Sequence, residues 1–219
     1  MDIIKKISIK HLNFSYGEQL IFEDAHFNLS NGDIACLSGD NGSGKTTLLK
    51  LLSGLIYFKG HFETLIINNQ VIANEELKKK LIFIPSKPKF YEKINYQDNI
   101  EIIRYLWSQD QNYCSKVKQM LKKLYFNLTN EKELESYSLG MRCKLALACF
   151  FSIDVPLILL DEPLGALDMK SRERMIHIMK TQAKAGRIFL FSSHSEDFKK
   201  QLANKIFQIK DQKLLISKN

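Results

Sequence analysis

Gly39-Asp40-Asn41-Gly42-Ser43-Gly44-Lys45-Thr46 is the stretch on which the reading of this chain turns. It fits the pattern G-x-x-x-x-G-K-[ST], in which glycines let backbone N–H groups turn inward around phosphate oxygens. Lys45 is the cation expected at the β- and γ-phosphates, and Thr46, followed by Thr47, offers a hydroxyl to Mg2+. The apolar run Ile34–Leu37 precedes the loop, and Lys45–Leu55 carries apolar residues at helical spacing. Strand, loop and helix in that order place the phosphates of a nucleotide at a helix N-terminus, where unpaired N–H groups and the helix dipole favour an anion.

Working outward, the N-terminal side reads as short strands. These are Ile3–Lys10, a turn at Tyr16-Gly17-Glu18, a segment near Ala25–Leu29 and a turn over Ser30-Asn31-Gly32-Asp33. On the C-terminal side, strands are expected at Phe62–Ile67, Leu81–Pro85, Pro156–Leu160 and Arg187–Ser192. The pattern turns helical and polar from Tyr96 to about Leu128, and helices are expected at Leu139–Phe151 and Lys170–Ala183. Strands alternating with helices predict an α/β fold with a mostly parallel sheet covered on both faces and antiparallel strands at the N-terminal edge. One domain over residues 1–219 is expected, with 1–95 and 138–219 forming a nucleotide-binding core plus β-subdomain and 96–137 a helical insert.

A second motif lies far along the chain. The apolar strand Leu157-Ile158-Leu159-Leu160 ends in Asp161-Glu162. Alone, such a pair is most often a strand end entering a solvated loop. With a phosphate loop upstream, Asp161 is placed to hold the Mg2+ shell and Glu162 to polarise an attacking water, the two tasks that phosphoryl transfer needs.

These features resemble the ATP-binding-cassette family, and the resemblance covers essentially the whole chain. Tyr16, in Phe14-Ser15-Tyr16-Gly17, matches the aromatic that stacks on adenine, though alone it reads as an ordinary packing aromatic. Ser136-Tyr137-Ser138-Leu139-Gly140-Met141 resembles the family signature. The resemblance implies that Ser138, Gly140 and Met141 contact the γ-phosphate of ATP bound to a partner subunit. Leu164-Gly165-Ala166-Leu167-Asp168 matches the loop along the dimer seam, and Ser192-Ser193-His194 the switch histidine.

Three positions depart from the pattern. Ser86, after Phe83-Ile84-Pro85, stands where the family has a glutamine that contacts Mg2+, and its hydroxyl is expected to reach the metal through a water, with Lys87 the alternative occupant; Leu139 replaces the first signature glycine and Met141 the signature glutamine. The Ser-Leu-Gly-Met form is similar to the subfamily that exports antibiotic peptides and other hydrophobic or amphipathic compounds. The resemblance therefore implies a P-loop NTPase fold and an ATPase using ATP and Mg2+. It implies two cassettes sandwiching two nucleotides as a homodimer or heterodimer, and a separate membrane-spanning subunit docked near Ser86–Asn99 and the helical insert, with export the expected direction. A weakly hydrolysing regulatory subunit, a non-transport cassette ATPase and a P-loop kinase or GTPase are the competing readings.

Composition limits the remaining choices. A chain of 219 residues with 45% hydrophobic content is long enough for a sizeable core. Its longest apolar runs, Leu145–Ile153 and Leu157–Leu160, are too short to cross a bilayer, and the N-terminus lacks an apolar signal core. A cytoplasmic protein held at the inner face of the membrane by its partner is expected. The net charge of +8 favours any phosphate-rich ligand without naming one, and no nucleic-acid partner is expected. Cys36, Cys114, Cys143 and Cys149 match no metal spacing and read as free thiols.

Overall fold

The computed structural model describes residues 5–56, 64–67, 70–71, 78–129 and 132–217. The ends of two expected strands, Ile3–Ile4 and Phe62–Glu63, lie outside them. The chain forms two compact units: residues 1–83, 155–162 and 179–219 make the first, and 84–154 and 163–178 the second.

The first unit holds two sheets. One has the order β2-β1-β4-β5, built from β1 (Lys6–Tyr16), β2 (Gln19–Ser30), β4 (Thr64–Ile67) and β5 (Gln70–Val71), all antiparallel. Ile7 and Ile9 of β1 face inward at period two, and so do Leu12 and Phe14. The intervening step of three residues is absorbed by a bulge at His11, which has φ +53. A matching extra residue in β2 falls at Asp24, φ +47, so the bulges cancel and Phe14 and Phe22 pair. The expected segment Ala25–Leu29 is thus only the second half of β2; Glu23 and Asp24 are exposed at the bulge and conceal the strand in the sequence.

The other sheet has the order β10-β9-β3-β8-β7-β6. Its strands are β3 (Ile34–Ser38), β6 (Leu81–Ile84), β7 (Leu157–Asp161), β8 (Ile188–Ser192), β9 (Lys205–Lys210) and β10 (Lys213–Ser217). β3 pairs in parallel with β8 and β9, and β7 with β8, while β9 and β10 are antiparallel. β7 and β8 are buried at every position, as parallel strands covered on both faces must be. Helix α1 (Lys45–Ser53) sends Leu48, Leu49, Leu51 and Leu52 into this core, beside Phe22, Leu159, Leu190 and Phe207. It stops short of the expected Leu55 because Gly54, at φ +70, closes its last turn by donating to Lys50 and Leu51 carbonyls.

The second unit is mainly helical. The continuous helical pattern expected over 96–128 is two helices, α2 (Tyr96–Leu106) and α3 (Tyr113–Lys123), parted by a turn in which the Asp110 carboxylate accepts from the Asn112 amide. The Asn95 side chain caps α2 by accepting from the Asp98 amide at 2.9 Å. Helix α4 (Leu139–Phe151) is anchored by the buried Tyr113 hydroxyl, which donates to the Cys149 carbonyl at 3.1 Å. Helix α5 (Met169–Lys184) belongs to this unit over its first turns, and α6 (Glu196–Leu202) belongs to the first unit. No described helix is long and apolar enough to cross a membrane.

Candidate functional site

The phosphate loop runs from the end of β3 to the start of α1, and its shape follows from its glycines. Gly39 has φ +147, and a Cβ there would stand 2.7 Å from Ser43 Oγ and 2.8 Å from the Ile209 carbonyl oxygen. Gly44 has φ +107, and a Cβ would meet Ile21 Cγ2 and Phe22 Cζ, each at 2.9 Å. The wall behind the loop therefore admits only backbone. Lys45 is buried, and its ammonium folds back to donate to the Gly39 and Asp40 carbonyls, both at 2.8 Å. Burial pushes its pKa below the usual lysine value, with Glu162 and Asp40 pulling it back. Ser43 Oγ is buried without a hydrogen-bond partner among the described residues.

The strand ends bring Asp161, Glu162, His194 and Ser192 together beside this loop within the first unit. Thr46 Oγ1 donates to both oxygens of the buried Asp161 carboxylate, at 3.0 and 3.1 Å. Glu162, one residue beyond β7, has φ +48 and so leaves the strand in a left-handed conformation uncommon for a side chain of its size. Its Oε1 lies 2.9 Å from His194 Nε2, and both side chains are about half exposed, at 45% and 44%. Ser192, the last residue of β8, pairs in register with Asp161, and its hydroxyl donates to Asp161 Oδ1 at 2.7 Å. Tyr16 ends β1 half exposed, with its ring edge-on to Phe14 at 4.8 Å.

The residues suit a magnesium nucleotide. The glycine cradle, the orphaned Ser43 hydroxyl and the buried lysine match phosphate oxygens, and the hydroxyl of Thr46 beside the Asp161 carboxylate is the all-oxygen donor set that Mg2+ prefers.

The signature and seam residues lie in the second unit. Ser138 is the N-cap of α4, its hydroxyl accepting from the Met141 amide at 3.3 Å. A Cβ on Gly140 would stand 2.7 Å from the Ala166 carbonyl oxygen, so this glycine is required for the signature to lie against the seam loop. Asp168 accepts from the Ser171 amide and hydroxyl and from Lys144 Nζ at 2.6 Å, and the Lys144 bond above all drives its pKa far below the usual carboxylate range. Lys144, six positions beyond Ser138, is not legible as a site residue in the sequence; its signal is a second cation, after Arg142, on a mostly apolar helix. Ser86 offers its carbonyl to the Cys143 thiol at 3.8 Å. Arg142 on the same helix turn binds the Glu92 carboxylate at 2.7 Å.

All four cysteines are free, as the sequence predicts. Burial lifts Cys36 and Cys149 to about 12 and Cys143 to about 11. A separate cluster, His11, Asp24 and His26, has ligand types suited to a metal. Its hydrogen bonds are already closed. His11 Nδ1 and His26 Nε2 share Asp24 Oδ1 at 2.7 and 3.2 Å, and the His11 amide donates to His26 Nδ1. A neutral His26 accepting at Nδ1 carries its proton on Nε2, where a metal would need a lone pair.

The family model described as ABC transporter matches residues 22–165. A cytochrome c biogenesis ATP-binding export protein, CcmA of Reclinomonas americana, is 31% identical over 194 residues, covering 88% of this chain and 86% of the relative. A putative ABC transporter ATP-binding protein of Clostridium tetani is also 31% identical, over 198 residues, and this chain spans 44% of its length. A dimeric ATP-binding cassette in a post-hydrolysis state, bound to ADP and Pi, superposes with a TM-score of 0.81 at 20% identity, over 97% of this chain and 98% of that one.

Proposed function

The chain belongs to the ABC transporter family, as its ATP-binding and ATP-hydrolysing subunit, and on that premise we propose the residue roles, the dimer and the docking surface through which it drives a separate membrane-spanning subunit. The observation that carries the proposal is the convergence, on the ends of β3, β7 and β8, of a glycine-walled loop, Lys45, the Thr46–Asp161 pair and the Glu162–His194 pair.

In this reading Tyr16 stacks on adenine, and the amides of residues 39–47 surround the phosphates. Lys45 exchanges its two loop carbonyls for phosphate oxygens. Thr46 and Asp161 would hold Mg2+, which when bound would supply charge neutralisation of the phosphates. Glu162 accepts a proton from water, and His194, in contact with the Glu162 carboxylate, fixes where that carboxylate points. In-line attack on the γ-phosphorus forms the new P–O bond as the bond to the β-phosphate oxygen breaks, giving ADP and phosphate. Ser138, Gly140 and Met141 close on the nucleotide of a second cassette, where the N-terminus of α4 presents its dipole to the γ-phosphate. The clamp from Lys144 to Asp168 joins that helix to the seam loop.

A groove of about 340 Å³ in the second unit is the proposed docking surface for the membrane subunit. Phe90, Tyr91, Ile103, Leu106, Trp107 and Phe150 line it, and Leu106 is 73% exposed. Export is the proposed direction, supported by the signature form and by the Reclinomonas relative, an export protein. The proposed location is the cytoplasmic face of the membrane.

The test is Mg2+-dependent ATP hydrolysis by the purified chain as a function of its concentration, with Lys45→Ala as control. Specific activity that rises with concentration and vanishes in the variant supports a dimeric ATPase. Activity independent of concentration, or retained without Lys45, sinks the proposed composite site.

A further inference from the structure

We propose that Ser192 is a positioning residue for the reaction, holding the Asp161 carboxylate and the Glu162 backbone in a fixed relation. The inference rests on the ATPase reading above and concerns a side chain that lies in the switch-histidine segment, where the motif assigns a role to His194 alone.

Ser192 is completely buried at the end of β8, directly across from Asp161. Its hydroxyl donates to Asp161 Oδ1 at 2.7 Å and accepts from the Glu162 amide at 3.0 Å. A hydroxyl carries one proton and two lone pairs, so both bonds form at once. Thr46 Oγ1 reaches the same carboxylate from α1, at 3.0 Å from Oδ1 and 3.1 Å from Oδ2. Among the described residues Oδ1 is therefore held by two hydroxyls and Oδ2 by one, which leaves Oδ2 the oxygen with lone pairs to spare for a cation.

The second bond acts on the neighbouring carboxylate. Glu162 turns out of the strand at φ +48, and Ser192 is the acceptor that satisfies its N–H at that turn. A single buried side chain thus sets both the rotation of the carboxylate proposed to bind Mg2+ and the backbone from which the water-activating carboxylate projects. A serine that only filled space in the core would affect stability and leave cation binding untouched, and this difference makes the inference testable.

The experiment measures Mn2+ binding by electron paramagnetic resonance in the presence of a non-hydrolysable ATP analogue, and analogue binding in EDTA, for the parent, Ser192→Ala and Ser192→Thr. Groups that orient a metal ligand contribute about 10- to 100-fold to metal affinity. Ser192→Ala is expected to weaken Mn2+ by that factor, with analogue affinity in EDTA unchanged, and Ser192→Thr, which keeps the hydroxyl, to restore it. Unchanged Mn2+ affinity in the alanine variant overturns the inference, as does an equal loss in EDTA. If the alanine variant fails to fold, Ser192→Cys carries the test, its weaker S–H donor giving an intermediate loss; parental Mn2+ affinity there overturns the inference. A parent that binds no Mn2+ with the analogue refutes the ATPase reading itself, whereas normal parental binding with an unaffected alanine variant refutes this inference alone.

Discussion

Replacing Gly44 by alanine tests whether the wall behind the phosphate loop sets the loop's geometry. Gly44 has φ +107, and the added Cβ would stand 2.9 Å from both Ile21 Cγ2 and Phe22 Cζ, side chains buried in the core. A residue held in a sparsely populated backbone region costs about 1–3 kcal/mol. Forcing a methyl group into a packed wall adds about 1–3 kcal/mol. The variant is therefore expected to lose roughly 2–6 kcal/mol, a large part of the ~5–15 kcal/mol typical of folded domains. Gly42 supplies the internal control, because its φ is +80 but an added Cβ meets nothing within 4 Å. Gly42→Ala should show the backbone cost alone, about 1–3 kcal/mol. Urea unfolding of the two variants, with equal denaturant slopes, reads the difference directly. A lower midpoint for Gly44→Ala confirms that the wall discriminates. Equal midpoints would mean that Ile21 and Phe22 yield freely and that the wall does not set the loop's geometry.

Three further outcomes are expected. Tyr113→Phe removes the hydroxyl that donates to the Cys149 carbonyl, but that carbonyl keeps the Ser152 amide as a partner; the loss in urea unfolding should be about 1 kcal/mol. Asn95→Ala leaves the Asp98 amide uncapped at the start of α2 and should cost about 1 kcal/mol, with slower-exchanging amides in that first turn becoming less protected. Asp168 has a carboxyl held below its usual range by Lys144 and Ser171, so its contribution to stability is complete above the ordinary carboxylate range and decays as the pH falls towards its folded value. Asp168→Asn should accordingly destabilise the protein at neutral pH and lie closer to the parent in acid, and a destabilisation that grows on acidification would contradict the assigned sign.

How far the molecule could be read from its sequence varied with the range of the interactions. The loop over residues 39–46, the buried strands β3, β7 and β8 and the helix after the loop were legible because their signals are local: glycine spacing, continuous apolar runs and a 3.6-residue period. β2 was half hidden because its two acidic residues fall at a bulge, which only pairing with β1 reveals. The antiparallel pair β9 and β10 carries no complete hairpin signal in the sequence, although Phe207 and Ile209 alternate with polar residues. Their turn is made by Asp211 and Gln212, both at positive φ and neither a glycine, so the usual hairpin signal is missing. The split between α2 and α3 was obscured because Trp107 extends the apolar spacing into the turn. Among the site residues, those carried by contiguous motifs were named from the sequence. Ser192 and Lys144 gain their meaning from strand register and from a neighbouring loop, and neither relation is written in local spacing.

Whether Glu162 activates the attacking water is decided by a paired measurement on Glu162→Gln: equilibrium binding of Mg2+–ATP and the steady-state rate of its hydrolysis. The exchange keeps the size of the side chain and its contact with His194 while removing the base, whose contribution is about 10²- to 10⁴-fold in rate. Retained ATP affinity, a longer-lived dimer and a rate reduced by that factor are the predicted result. Hydrolysis at the parental rate would contradict the account, because the carboxylate beside His194 would then take no part in the chemistry.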